Sequence, residues 1–210
     1  MLLVTILLVF TFSLNFVVFW GLFLKNKDKG KKIFYYKLFP VVWTLSLVPI
    51  PIINSSFLRM FFPNNYSYFE DLWIFFILFG IALIIVGIIF IKRANEVYKV
   101  KLMDENSSNL ITKGIFKLVR HPIYSSWGII FLGLAIISDS LISLIISPLI
   151  LILLELHAII EEKLILIPKY DKIYENYKEK TPKRIIPTPL NLLLIIMAFI
   201  IVYVGIFNFN

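Results

Sequence analysis

Residues 123–160 read IYSSWGIIFLGLAIISDSLISLIISPLILILLELHAII, two aliphatic runs separated only by the polar triplet Ser138-Asp139-Ser140. So short a connection folds the chain back on itself, and 123–137 with 141–160 is expected to form an antiparallel helical hairpin. The first arm is short for a complete crossing of a bilayer and is expected to start partway into it. The second arm ends in Glu155, His157, Glu161 and Glu162 amid aliphatic residues. Ionisable groups in such a helix need partners or a polar cavity, so chemistry is expected at this end of the hairpin.

The rest of the chain extends the apolar theme. Over 210 residues, 60% are hydrophobic and 16% charged, with a mean hydropathy of +0.89. Soluble domains carry about 25% charge. Twenty Phe and four Trp also exclude a disordered chain. Further apolar stretches occur at 1–24, 34–57, 72–91 and 190–207, so the expected fold is an all-α integral membrane bundle of five to six transmembrane helices. The first stretch has no charged start and no small-residue cleavage site, and reads as a retained anchor. Pro40, Pro49 and Pro51 are expected to kink or break the second. The absence of Cys excludes disulfides, thiol catalysis and Cys-based zinc sites, and two His leave no histidine-rich metal site; no metal is expected.

Charge orients the bundle. Twenty of the twenty-one Lys and Arg fall in segments 25–37, 92–121 and 161–187, and Arg59 stands alone in 58–71. With six spans, the three rich segments share one side, which the positive-inside rule makes cytoplasmic. The protein is thus expected to be multi-pass, with both termini outward and its working surface on the cytoplasmic side. The net charge of +8 lies between apolar runs and matches no nucleic-acid motif, so it suits an anionic leaflet and no nucleic-acid partner is expected.

Two polar clusters flank the hairpin. In the segment 109–124, Gly114 permits a turn and Pro122 suits the first position of a helix. Arg120, His121 and Tyr124 then gather at that helix's N-terminus, where an anionic group is favoured. The same residues also read as an interfacial collar, with a snorkelling Arg and a belt Tyr. In the second cluster, helical spacing puts Glu155 and Glu162 on one face and His157 and Glu161 on another. Glu161 and Glu162 alternatively form a solvated helix end. Tyr170, Tyr174 and Tyr177, interleaved with charge, read as an amphipathic interfacial helix, closed by Pro182 and Pro187 around Lys183 and Arg184.

Taken together, Arg120-His121-Pro122-x-Tyr124, the hairpin, Glu161-Glu162, Tyr174-x-x-Tyr177 and Arg184-x-x-Pro187 resemble the isoprenylcysteine carboxyl methyltransferase family. The region is also similar to related integral-membrane methyltransferases, including phospholipid N-methyltransferases. The resemblance covers about 96–187 and implies three parts: transmembrane spans in 1–95, a catalytic region in 96–187, and a final span in 188–210. It implies S-adenosylmethionine as cofactor, held at the cytoplasmic side beneath the hairpin, and a lipidic or prenylated acceptor arriving from the bilayer. Residue by residue, it puts cofactor contacts on Lys101, Leu110, Ile111, Phe116, Arg120, His121, Pro122, Ile123, Tyr124 and Glu162. It puts the reaction itself near Glu161, His157 and Arg184. A Gly common in the family is Ser126 here. The family's substrate-binding Arg is Ala158, which leaves Arg184 or Lys183 to meet an acceptor carboxylate.

Methyl transfer is an in-line displacement that depends on alignment. A carboxylate acceptor is already nucleophilic at neutral pH, so carboxylate O-methylation is the favoured expectation. An amine acceptor must first lose a proton, and Glu161 or His157 is the candidate base. Two other readings are an NADPH-dependent membrane reductase of the sterol-reductase type and a non-catalytic helical membrane protein.

Overall fold

The computed structural model describes residues 2–25, 38, 42–43, 45–53, 73–103, 110–138 and 141–187. The expected span 190–207, the loop 58–71 and much of 34–57 lie outside the described residues. Among the described residues every regular element is helical. These are α1 (Leu2–Lys25), α2 (Pro49–Ile53), α3 (Trp73–Met103), α4 (Pro122–Ile137), α5 (Leu141–Glu161), α6 (Ile167–Tyr170) and α7 (Lys172–Lys180). A 3-10 turn, Gly114–Lys117, precedes α4, and a π-helical turn, Glu162–Leu166, continues α5.

Two of the described helices, over Leu3–Lys25 and Ile74–Val97, are long and apolar enough to cross a bilayer. Large apolar side chains such as Phe10, Val17, Leu78 and Ile85 point outward from them, as a lipid-facing surface requires. The expected third span ends at residue 91, whereas α3 runs on to Met103. Ala94 explains part of the extension: it is fully buried in an apolar cluster with Ile115 and Phe116, so packing carries the helix past Lys92 and Arg93.

The expected hairpin is present, and α3 lies antiparallel beside its first arm. A Cβ on Gly80 would sit 2.7 Å from the carbonyl oxygen of Gly133, and a Cβ on Gly133 equally close to that of Gly80. The two backbones therefore touch where neither residue has a side chain, the small-residue contact by which helices in lipid approach closely. Gly128 plays a similar part against Leu151 of α5.

Two apolar clusters result. The larger joins α1, α2, α3 and the hairpin through Phe12, Phe19, Trp20, Trp43, Ile50, Phe131 and Leu154, among others. The smaller joins the end of α3, the 3-10 turn and α7 through Ala94, Ile115, Phe116, Tyr174 and Tyr177. Between them lies the mouth of the hairpin.

Candidate active site

The chain enters α4 through a tight descent. Gly114 adopts φ +61, a conformation that glycine reaches without a Cβ clash, and Pro122 occupies the first turn of α4. The entry is stitched to the segment 181–187. The Arg120 amide donates to the Lys183 carbonyl at 3.0 Å and the His121 amide to the Arg184 carbonyl at 2.9 Å. The Ser125 hydroxyl donates to the Ile185 carbonyl. This strap brings the late Arg184 to the hairpin.

The other side of the mouth is the end of α5. It does not stop in solvent: the i→i+5 bonding of the π turn begins at Glu162, an irregularity often found at functional sites. Glu161 and Glu162 are both buried. The solvated-end reading of this pair is therefore wrong, because both side chains turn inward to cationic partners.

Those partners form one connected array. Arg120 grips Glu162 with Nε at 2.8 Å and Nη2 at 3.4 Å, while its Nη1 donates to the carbonyls of Thr181 at 2.7 Å and Pro182 at 2.9 Å. His121 lies between the two acids, Nδ1 3.4 Å from Glu161 Oε2 and Nε2 3.2 Å from Glu162 Oε1. Tyr124 donates its hydroxyl to Glu161 Oε2 at 2.6 Å, and its ring stacks on that of His121. Arg184 pairs with Glu155. Its Nε also approaches Glu162 Oε2 to 3.2 Å, near enough for charge pairing though not aligned as a hydrogen bond. The two helical faces thus work as their spacing predicts: Glu155 and Glu162 share Arg184, while His157 and Glu161 both flank Tyr124. Arg120 is no snorkelling collar residue. It is buried and bound on every side.

The electrostatics follow from this array. Burial alone would lower the His121 pKa, but hydrogen bonds to Glu161 and Glu162 and their charges outweigh it, and the net shift is upward from 6.5. Burial alone would raise Glu162, yet His121 and Arg120 overcome it and hold the carboxyl well below its usual range. Burial and the charge of Glu162 push the Tyr174 hydroxyl up.

The apolar candidates lie on the α7 side. Phe116 is buried in the smaller cluster, with Leu110, Ile111 and Ile123 partly buried against it. Pro122 is buried at the start of α4. The side chain of Lys101 lies outside the described residues. Tyr174 and Tyr177 were legible only as an interfacial helix, yet both are buried, and Tyr177 donates to the Phe116 carbonyl at 2.6 Å. The Tyr174 hydroxyl lies in the field of Glu162 and Arg120 without a hydrogen bond of normal geometry among the described residues. A cleft of about 580 Å³ opens beside this cluster, with Thr112, Lys117, Tyr177 and Thr181 among its walls. Its size suits a nucleoside-scale ligand. One recognisable cue was missed: Tyr174 and Tyr177, three apart, share a helix face that α7 turns toward the protein.

Membrane-length helices and a hairpin whose two ends enclose a buried Arg-His-Glu array define a helical membrane protein with an internal polar site. The family model for phospholipid methyltransferase matches residues 73–174, from the start of α3 to Tyr174. That segment, just under half of the chain, is similar to the family, in agreement with the resemblance to phospholipid N-methyltransferases, and it carries Arg120, His121, Tyr124, Glu161 and Glu162. No curated protein and no solved structure matches the chain.

Proposed function

We propose that the protein transfers a methyl group from S-adenosylmethionine to an amine on the headgroup of a membrane lipid. The observation that carries this reading is His121 bridging Glu161 and Glu162, with Glu161 fixed by the Tyr124 hydroxyl. An ammonium acceptor must give up a proton before it can attack. Glu161 is the group to take it, and the adjoining imidazole spreads the charge toward Glu162.

The residues present fit the cofactor. A buried hydroxyl without a well-aligned hydrogen bond suits a polar ligand atom, and among the described residues that of Tyr174 is one, beside Glu162 and on the helix whose Tyr177 lines the nucleoside-sized cleft. Glu162, His121 and Tyr174 would meet its polar groups, and Leu110, Ile111 and Phe116 its adenine. Arg120 has four of its N–H groups engaged, so its role is to hold Glu162 and the strap. When bound, S-adenosylmethionine supplies a methyl group made electrophilic by its sulfonium.

One observation favours the carboxylate acceptor as a second reading. Arg184 is the most exposed cation of the array, with 24% of its side chain accessible, and would meet an acceptor carboxylate. Calorimetry on the purified protein tests the cofactor. S-adenosylmethionine is expected to bind, with affinity at least about tenfold weaker in Glu162→Gln, the loss of one charged hydrogen-bonding partner. Binding of NADPH with no binding of S-adenosylmethionine would establish the reductase reading instead.

A further inference from the structure

Helix α1 reaches the hairpin at one polar point. Trp20 Nε1 donates to His157 Nδ1 at 2.8 Å, across 137 residues of sequence. An indole N–H is a donor and nothing else. The Nδ1 of His157 therefore presents a lone pair, and the neutral ring carries its proton on Nε2. A doubly protonated ring would set one N–H against another.

Aromatic rings hold this imidazole in place. The centroids of Phe16 and Phe19 lie 5.9 Å from it, Trp20 5.0 Å and Trp43 5.2 Å. Tyr124 meets it edge-on at 4.9 Å. On its other side Tyr124 stacks on His121 at 5.3 Å, with the planes 8° apart. The tyrosine ring is thus clamped between two histidines and delivers its hydroxyl to Glu161 at 2.6 Å. Among the described residues, Glu161, one turn further along α5, and His121 are titratable groups acting on His157.

We propose that Trp20 and His157 are positioning residues of the site: α1, outside the family-matched segment, fixes His157 as the Nε2–H tautomer, and that fixed ring sets Tyr124 and through it Glu161. The purpose of the lock rests on the methyl-transfer reading, but its chemistry does not. His157 is then no base, because its lone-pair nitrogen is taken by Trp20. Glu161 is left as the proton acceptor.

The chain has two histidines, which makes the test direct. The full-length protein is labelled with 15N-histidine and studied by NMR in lipid nanodiscs, with His121→Gln assigning the two rings. His157 is expected as a neutral Nε2–H ring whose Nδ1 accepts a hydrogen bond. Trp20→Phe keeps an aromatic ring but removes the donor, and should yield a mixture of both tautomers. A His121 signal still dispersed from the position of an unfolded histidine in that variant reports that the site is folded. The same variant should lower kcat by about tenfold to a hundredfold, as a misplaced reacting group does, with KM for the cofactor little changed. His157→Asn, which sets an amide oxygen near the Nδ1 position, should retain more activity than His157→Leu. An Nδ1–H or doubly protonated His157, or a tautomer indifferent to Trp20→Phe, would overturn the proposal. The tautomer needs no turnover to be seen, so a wild-type protein that binds no cofactor defeats the methyl-transfer reading separately.

Discussion

Arg120 and Glu162, at the two ends of the hairpin, meet at 2.8 Å with side chains 3% and 4% exposed. The contact closes the mouth of the hairpin, since Arg120 stands at the entry to α4 and Glu162 at the exit from α5. The same guanidinium holds the carbonyls of Thr181 and Pro182, so one side chain ties three chain segments together.

Glu162→Gln should therefore be strongly destabilising. It leaves Arg120 buried without its counter-charge and removes partners of His121 and Arg184. Breaking a buried pair by removing one member costs about 3–5 kcal/mol. Denaturant unfolding in mixed micelles would measure the loss. A change below about 1 kcal/mol would mean that the array does not hold the mouth closed.

Stability should fall on the alkaline side first. The folded His121 binds its proton more tightly than the unfolded residue, so its contribution is complete below pH 6.5 and is lost as pH rises through the raised value. Glu162 acts in the opposite sense: its contribution is present above pH 4.5 and disappears only as pH falls through the depressed value. The unfolding midpoint, followed from about pH 5 to about pH 10, should decline above neutrality. His121→Gln should flatten that decline.

Gly133→Ala places a methyl group 2.7 Å from the Gly80 carbonyl oxygen. Backbone cannot swing aside as a flexible side chain does, so α3 and α4 must separate, at about 1–3 kcal/mol for overpacking. A lowered unfolding midpoint is the expected outcome, and an unchanged one would show that the helices are free to part.

Tyr177→Phe removes only the hydroxyl that binds the Phe116 carbonyl at 2.6 Å. The loss of a buried hydrogen bond, with its acceptor left unpaired, costs about 1–3 kcal/mol. It should also loosen the 3-10 turn, which hydrogen exchange at Ile115–Leu118 would register as faster opening.

Much of this arrangement was legible in the sequence for simple reasons. The polar triplet between two aliphatic runs specified the hairpin. Helical spacing paired Glu155 with Glu162 and His157 with Glu161, and both pairings recur in the structure. Proline and glycine marked the entry to α4. What stayed hidden depends on contacts between distant segments. Nothing near Trp20 says that its indole meets His157, because 137 residues intervene. The inward turn of Glu161 and Glu162 follows from the π turn and from Arg120, neither of which leaves a local periodic signal. Tyr174 and Tyr177 sit among charges, which favours a surface reading until α7 is seen packed on Phe116.

Transfer of labelled methyl from S-adenosylmethionine tests the central claim most directly. Membranes containing the protein would be incubated with methyl-labelled cofactor, and lipid extracts analysed by mass spectrometry before and after mild base. The account predicts label in a base-stable amine headgroup, lost in Glu161→Gln while cofactor binding persists. Label confined to a base-labile ester, or transfer undiminished in Glu161→Gln, would contradict it.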